Sequence, residues 1–583
     1  MKGNTSTASH QLKLLEEEIN LKSGQGFLVN FTAIQSGLWS EKATWGGADP
    51  PSTGDDVTIP AGVTVTVDIP AFCKNIEIQN GGTINYAGTQ SLQVHGSWTN
   101  NGNFDGGTSG TVELAGNEDA SVNGTTTFEE LVVSKGNLAT TLTINGNTTV
   151  SGGGSLTLNG GLIKIPGSAS LSCEYSRELK IPATSGFEVT GGSLSTGNFS
   201  ITNNGLIRVT SGTANFGTNS GNSVHTQVDG AFIVKNGTVN IAGRLENTAR
   251  GTLEPLGLSS GITVSGGEVT LSTVGNGLSN TGSLNVTSNG ALNFSGGTIV
   301  FQNPSTAGTT LDLGLLDGYG TKNTDGGIFQ FGNNSTPDQS EFIISSAIPL
   351  NNITSAPDVN LKLKSDLEIS DRLDLANNSN IILDGNSIRL KVDSKATYNL
   401  PLSDTDGHSI PVSVEIANGT ISPESYIELK TIGNKHPENL NETNYLERYW
   451  SVSTGGINNP EYNITAKYAN TDIIGDNPEL IVTNFLDGTW TPLKNTNLGP
   501  NTILINGVNG DLEFTALAEA TVTITASPSA TICSGSPVTL TAVVMDGTAQ
   551  SYTWSSNPSG IYNKTQAITV SPTQNTTYSV TIV

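Results

Sequence analysis

Positive charge is scarce in this chain. Only 26 Lys and Arg stand against 51 Asp and Glu, a formal net charge of −25 over 583 residues, and a field of that sign repels nucleic acid and anionic membrane surfaces. Long apolar runs are missing too. No stretch of about 18 apolar residues is present to cross a bilayer, so no membrane insertion is expected. The N-terminal MKGNTSTASHQLKLLEEEIN lacks the apolar core of an export signal, and the expectation is that export precedes this chain's start or that Met1 is an added start. Cysteine is limited to Cys73, Cys173 and Cys533. They are odd in number, with no C-x-x-C, which leaves no structural zinc site and reads as small buried hydrophobes. With 13% charged residues and 6% aromatics, neither a helical bundle nor a charge-rich disordered chain fits.

What the chain has instead is glycine, 69 of them, set with Asn, Ser and Asp between short alternating segments. Leu142/Ile144, Leu156/Leu158, Ile163/Ile165, Phe232/Val234, Val239/Ile241, Leu284/Val286, Leu292/Phe294 and Ile299/Phe301 are aliphatic or aromatic pairs with one residue between their members. Leu361/Leu363, Leu367/Ile369, Leu373/Leu375, Ile381/Leu383 and Ile388/Leu390 continue the series. In a strand, alternation puts both members of a pair on one face. Hairpins would bring tight N-G or D-G turns between longer strands. Segments of about three to five residues at near-constant spacing suit a coil of three short strands and about 20 residues. A single coil buries too little apolar surface to offset the ordering of its backbone, so coils must stack and the open ends need covers.

The fold class is therefore all-β: a capped parallel β-helix (solenoid) over residues 31–395, followed by a β-sandwich over 396–520 and a small Ig-like sandwich over 521–583. Residues 1–30 are a tail in which Leu12, Leu15 and Ile19 fall at helical spacing within 11–22. Beyond residue 395 the segments lengthen, as in GHSIPVSVEIANGT, ESYIELKTIG, LERYWSVST and EYNITAKYA, at the spacing of an antiparallel sandwich. Tyr449, Trp450, Tyr468 and Trp490 are expected to fill its core, and Trp554 the core of the last unit.

The stretch GLWSEKATWGGADPPSTGDDVTIPAGVTVTVD, residues 37–68, reads as the cap. Val57, Ile59, Val63, Val65 and Val67 supply the first coil, Trp39 and Trp45 lie across its open end, and Asp55 and Asp68 belong to the same unit. The spacing of Gly37, Trp39, Trp45, Gly46, Pro51, Gly54, Asp55, Val57, Ile59, Gly62, Val65 and Asp68 resembles the start of the extracellular eight-glycine domain family, found in large secreted surface proteins of Bacteroidetes-type bacteria. ERYWSVST, ITAKY and DGTWTPL are similar to the sandwich that follows the β-helix in such proteins. ICSGSPVTLTA, YTWS and TTYSVTIV resemble their PKD-like or Ig-like repeats. The resemblance implies an exported, multidomain protein, extracellular or on the cell surface, that belongs to a longer chain with a sorting domain of the type IX secretion kind. In related Ig-like repeats a second cysteine after the final strand pairs with the position matching Cys533, and this sequence ends before it.

Catalytic groups are few. β-Helices host polysaccharide lyases and glycoside hydrolases, which need a base beside acidic groups or a carboxylate pair at a set separation. Asp55/Asp56 and Glu129/Glu130 are adjacent, so in strands they point to opposite faces. Glu174, Arg177, Glu178 and Lys180 form a mixed cluster better read as a solvated loop. DTDGH at 404–408 contains part of a calcium loop without the closing glutamate and reads as a turn; no cofactor is expected, structural calcium being a weak alternative. No phosphate-binding loop or H-x-x-x-H pattern occurs. The reading is a non-catalytic structural or adhesive surface protein directed at glycans or other surface polymers, with Tyr86, Trp98 and Phe104 as candidate glycan contacts and a carbohydrate-active enzyme as the alternative.

Overall fold

The structure is a computed structural model that describes residues 30–582 except 255, 278–281, 306–310, 476–479, 495, 519–521, 546–548, 550 and 561–562; the helix expected at 11–22 lies outside the described residues. The chain is all-β, with 58% of residues in strands and a β-solenoid of about 15 turns. It divides into two compact units, one of residues 1–359 with 372–378, the other of 360–371 with 379–583.

In the first unit successive coils pair in parallel. Asp56–Ile59 pairs with Ile76–Ile78, which pairs with Trp98–Asn100, and Ala71–Cys73 pairs with Ser91–Val94, which pairs with Thr111–Ala115. Thr64–Val67, beside Thr83–Tyr86, forms a third face. Because registers are held, inward side chains stack in columns: Val57, Ile76, Trp98, Val122 and Ile144 form one, and all five are buried. Cys73, Val94, Leu114, Val133 and Leu158 form another, so Cys73 takes an aliphatic's place. The coil is not constant. Val57 stands beside Ile76 but Ile262 beside Leu292, a lengthening from 19 to 30 residues per coil. Phe294 then meets Phe329 with ring centroids 4.8 Å apart, and Phe301 stacks on Phe331 at 4.8 Å.

Outward positions make polar ladders between coils. Asn145 donates to Asn123 (2.9 Å), Ser170 to Asn147 (2.9 Å) and Asn240 to Asn215 (2.8 Å). The corners are set by glycine. A Cβ on Gly146 would stand 1.8 Å from the Gly124 carbonyl oxygen, and one on Gly124, whose φ is +83°, would stand 2.0 Å from that of Asn100. Only a residue without a side chain lets consecutive corners nest this closely.

Two devices lie outside the repeat. Thr252–Leu253 and Leu258–Ser259 form an antiparallel hairpin that packs Leu253, Leu256 and Leu258 over Leu138, Leu162, Leu206 and Ile233. These side chains point away from the coil interior, since their neighbours Ile163, Ile207 and Phe232 are the inward ones; the hairpin gives the outer face a second apolar cluster. Lys135 is fully buried, and its Nζ donates to the Ala115 carbonyl (2.6 Å) and the His95 carbonyl (3.1 Å), reaching two coils back. Of the aliphatic pairs, Leu373/Leu375 is the exception, both residues being half-buried.

The second unit begins in the same parallel manner, Leu361 beside Ile381 and Leu367 beside Ile388. Ser387–Lys391 then also pairs antiparallel with Val412–Ile432. From there Val412–Ile432 pairs with Tyr449–Lys467, which pairs with Thr502–Val508 and Leu512–Ala518. Trp450 stacks on Phe514 (5.2 Å, 13°) inside this sheet, and Tyr468 is buried. Tyr449 and Trp490, expected in the same core, are only half-buried, because both pack on His436 instead. Over 522–582, Val522–Ser527, Val538–Val544 and Ala567–Val570 form one small antiparallel sheet and Tyr552–Asn557 with Thr577–Ile582 another. Trp554 is buried among Val538, Leu540, Ile568 and Val570.

Candidate functional site

Of the four residues expected in the cap, Trp39, Trp45 and Asp68 lie in one linked segment and Asp55 does not join them. Asn30–Thr32 and Gly37–Leu38 pair with Asp56–Ile59 and Thr64–Val67 as a partial coil ahead of the first full one. Between them and that coil Trp39 and Trp45 are enclosed, 0% and 5% exposed, edge to face at 5.1 Å, with Phe31 against Trp45 at 6.1 Å. A 3₁₀ turn, Lys42–Trp45, aims Trp45 inward and ends at Gly46 with φ +70°. Asp68 accepts hydrogen bonds from the Ser40 backbone N–H (3.0 Å) and hydroxyl (2.6 Å), tying this turn to the first coil. Asp55 stands apart, closing its own turn by accepting from the Ser52 N–H and hydroxyl (2.8 and 2.6 Å).

The three aromatic residues expected to touch glycans do come together, but as packing. Phe104 lies edge to face against Trp98 (4.9 Å) and Tyr86 (6.0 Å), with Phe128 behind at 5.3 Å from Trp98. Trp98 has no exposed surface, and its indole N–H donates to the Thr126 hydroxyl at 3.0 Å. The expectation is corrected on this point: Trp98 offers no ring face to a sugar because it occupies an inward column of the solenoid.

A cavity of about 340 Å³ opens in the second unit, beside the DTDGH turn. Asp404, Asp406, Arg448, Asp472, Asp384 and Thr431 are among its lining residues. Arg448, on the strand-leading segment ERYW, is only 4% exposed. Its Nε and Nη2 donate to the two carboxylate oxygens of Asp472 (2.7 and 3.1 Å), and Nη2 also reaches Asp404 at 3.3 Å. Asp472 is held in turn by the Ala469 N–H at 2.8 Å. Gly433 makes room for the guanidinium, since a Cβ there would sit 3.3 Å from Nη1 and Nη2.

Asp404 organises the turn. Its Oδ1 accepts the N–H groups of Asp406 (3.0 Å) and His408 (2.8 Å), and its Oδ2 accepts from the His408 ring at 3.0 Å. Burial works against its charge, but these donors and Arg448 outweigh it and hold its carboxyl below the usual carboxylate range. One ligand atom from each of Asp404, Asp406 and His408 falls within 4.8 Å of the others. A hard cation prefers oxygen ligands that are not already engaged, and both Asp404 oxygens are, so the trio has the hydrogen bonding of a turn.

Among the other candidates, Glu174, Arg177, Glu178 and Lys180 are all exposed, with Glu178 and Lys180 4.0 Å apart. Cys73 and Cys173 are buried, and burial pushes the Cys173 thiol up to about 12; Cys533 is exposed, contrary to the reading of all three as buried. Sequence reasoning missed Arg448, Asp472, Thr431 and His436. Lone polar residues in a strand (Thr431), a 3₁₀ turn (Asp472) or loops (Arg448, His436) give no local signal of the partners that folding supplies. His436 is ringed by Tyr449, Phe485 and Trp490 at 4.7–4.8 Å and lies 3.1 Å from Glu513.

Among the described residues no helix is long and apolar enough to cross a membrane. Neither the curated proteins nor the solved structures contain a match to the chain. Residues 44–160, from the end of the cap turn through the first coils, match the family model of the G8 domain, and that domain together with the solenoid fits an extracellular structural protein.

Proposed function

We propose that this chain is a non-catalytic, extracellular or cell-surface protein in which the solenoid spaces and presents binding surfaces towards glycans or other surface polymers, without a cofactor. The observation that carries this reading is the division of labour within each coil. Inward side chains are aliphatic and aromatic columns, while outward ones are Thr, Asn and Ser joined in ladders such as Thr66 to Asn85 (2.6 Å) and Asn145 to Asn123 (2.9 Å). Such a surface is hydrated and rich in hydrogen-bonding groups, with charged residues such as Arg208 and Glu188 paired at 2.7 Å, as a spacer among polysaccharides needs to be. The C-terminal strands around Trp554 belong to this reading as an Ig-like extension. A glycan array probed with the full chain tests it. Binding to saccharide spots supports adhesion; turnover of a polysaccharide by the purified chain would assign it to the carbohydrate-active enzymes instead.

A further inference from the structure

Two residues lining the cavity beside the DTDGH turn each carry a polar atom without a partner among the described residues. Thr431 is 7% exposed and lines the cavity, yet its hydroxyl has no hydrogen-bond partner among the described residues. Buried hydroxyls are normally paired, and one left unpaired carries a desolvation cost that a bound group removes. Arg448 spends Nε and Nη2 on Asp472 and Asp404, and no partner for Nη1 occurs among the described residues.

The remaining lining states what kind of ligand is recognised. Asp384, Asp404, Asp406, Glu447 and Asp472 set five carboxylates against one guanidinium. Of these, Asp384 is paired to Lys364 at 3.0 Å, and Asp404 and Asp472 are engaged by Arg448, which leaves Glu447, half-buried, and Asp406, exposed at the rim. Acceptors therefore exceed donors, and the net charge is negative. An anionic ligand is repelled, whereas a ligand with many O–H or N–H groups finds acceptors. Ile382, Leu383 and Ile410 supply an apolar floor for C–H surface. A volume of about 340 Å³ lies at the small end of ligand pockets, which run from about 300 Å³ upward.

We infer that this cavity is a subsite for one hydroxyl-rich sugar residue, uncharged or ammonium-bearing, of a surface glycan, with Thr431 Oγ1, Arg448 Nη1 and the Asp406 carboxylate as its contacts. The inference rests on the glycan-directed reading of the function and adds the place and the charge class of the sugar.

The test is calorimetric titration of the full chain with neutral hexose oligomers, glucosamine oligomers and uronate oligomers, repeated on Thr431→Val and Asp406→Ala. Thr431→Val keeps the side-chain shape, and Asp406 is at the rim, so neither is expected to disturb folding; unchanged circular dichroism and melting confirm this. Binding of neutral or glucosamine oligomers, weakened about tenfold in each variant as for one lost hydrogen bond to a buried or charged group, supports the inference. Saccharide binding that survives both substitutions overturns the subsite while the glycan-directed reading stands. Equal or tighter binding of uronate oligomers overturns the charge class assigned to the cavity. Absence of binding to every oligomer overturns the subsite, and an empty glycan array then removes the adhesive reading with it.

Discussion

Trp45 Nε1 donates to the Trp39 carbonyl at 2.8 Å, while the two indoles meet edge to face at 5.1 Å. One residue thus satisfies the backbone of the other and packs on its ring, so the turn carrying both is fixed over the first coil. The end of a solenoid otherwise presents an open apolar column and unpaired strand edges.

Trp39→Ala should therefore cost about 3–5 kcal/mol, the range for emptying a buried large aromatic site. Repeat proteins do not always unfold in one step, so the measurement is hydrogen exchange. Protection should fall first in residues 30–67, and size-exclusion chromatography should show self-association once the end is uncovered.

The nested corners give a contrast between two glycines. Gly146→Ala drives a methyl into the Gly124 carbonyl, at 1.8 Å, and is expected to destabilise by about 3 kcal/mol or more, since backbone cannot step aside as a side chain does. At Gly54 an added Cβ meets nothing within 4 Å and φ lies outside the left-handed region. Gly54→Ala should be neutral or stabilise by about 0.4–1 kcal/mol through the unfolded chain. Denaturant midpoints of the two variants decide it.

Asp312 predicts a pH dependence. It is buried, accepting the N–H groups of Ser305 (2.7 Å) and Ile343 (2.8 Å). Burial drives its carboxyl up to about 7 against the pull of those donors, while an unfolded Asp titrates near 3.9, a general value. The folded state therefore holds the proton more tightly, so this group's contribution to stability is greatest below about pH 4, is lost as pH rises towards 7, and is constant above. Asp312→Asn should remove that slope. It should also lower stability by about 1–3 kcal/mol, because its NH₂ faces a backbone donor where a carboxylate oxygen accepted. Melting temperatures of both proteins between pH 4 and 8 supply the comparison.

Lys135→Met keeps the apolar stem but leaves the His95 and Ala115 carbonyls without their donor. A loss of about 1.5–3 kcal/mol is expected, the range for hydrogen bonds to a charged group. Lys135 has no exposed surface, so acetylation of the folded protein should leave this amine unmodified while exposed lysines react, even though burial lowers its pKa; peptide mass spectrometry reads this directly.

Much of the fold was legible because alternation is a local signal. Leu284/Val286 and Ile299/Phe301 need only their own neighbours to be recognised as inward pairs, and both are buried in the structure. Leu373/Leu375 shows the limit, since the same pattern is half-buried there: periodicity tells which residues share a face but not what lies opposite. Tyr86, Trp98 and Phe104 show it again. Aromatic side chains serve equally well on a groove and in a core, and only the column joining Ile76, Trp98 and Val122 settles the question for Trp98.

By itself, the sequence determined that this protein is all-β and that its coils are short and stacked in parallel, because hydrophobic period and turn residues act over a few positions. Only the tertiary structure decided that coils grow from 19 to 30 residues, that a hairpin covers an outer leucine patch, and that Arg448 meets Asp404 and Asp472 beside a Thr431 hydroxyl with no partner among the described residues. Those relations join residues tens of positions apart, and their energies depend on burial and distance, which no local pattern encodes.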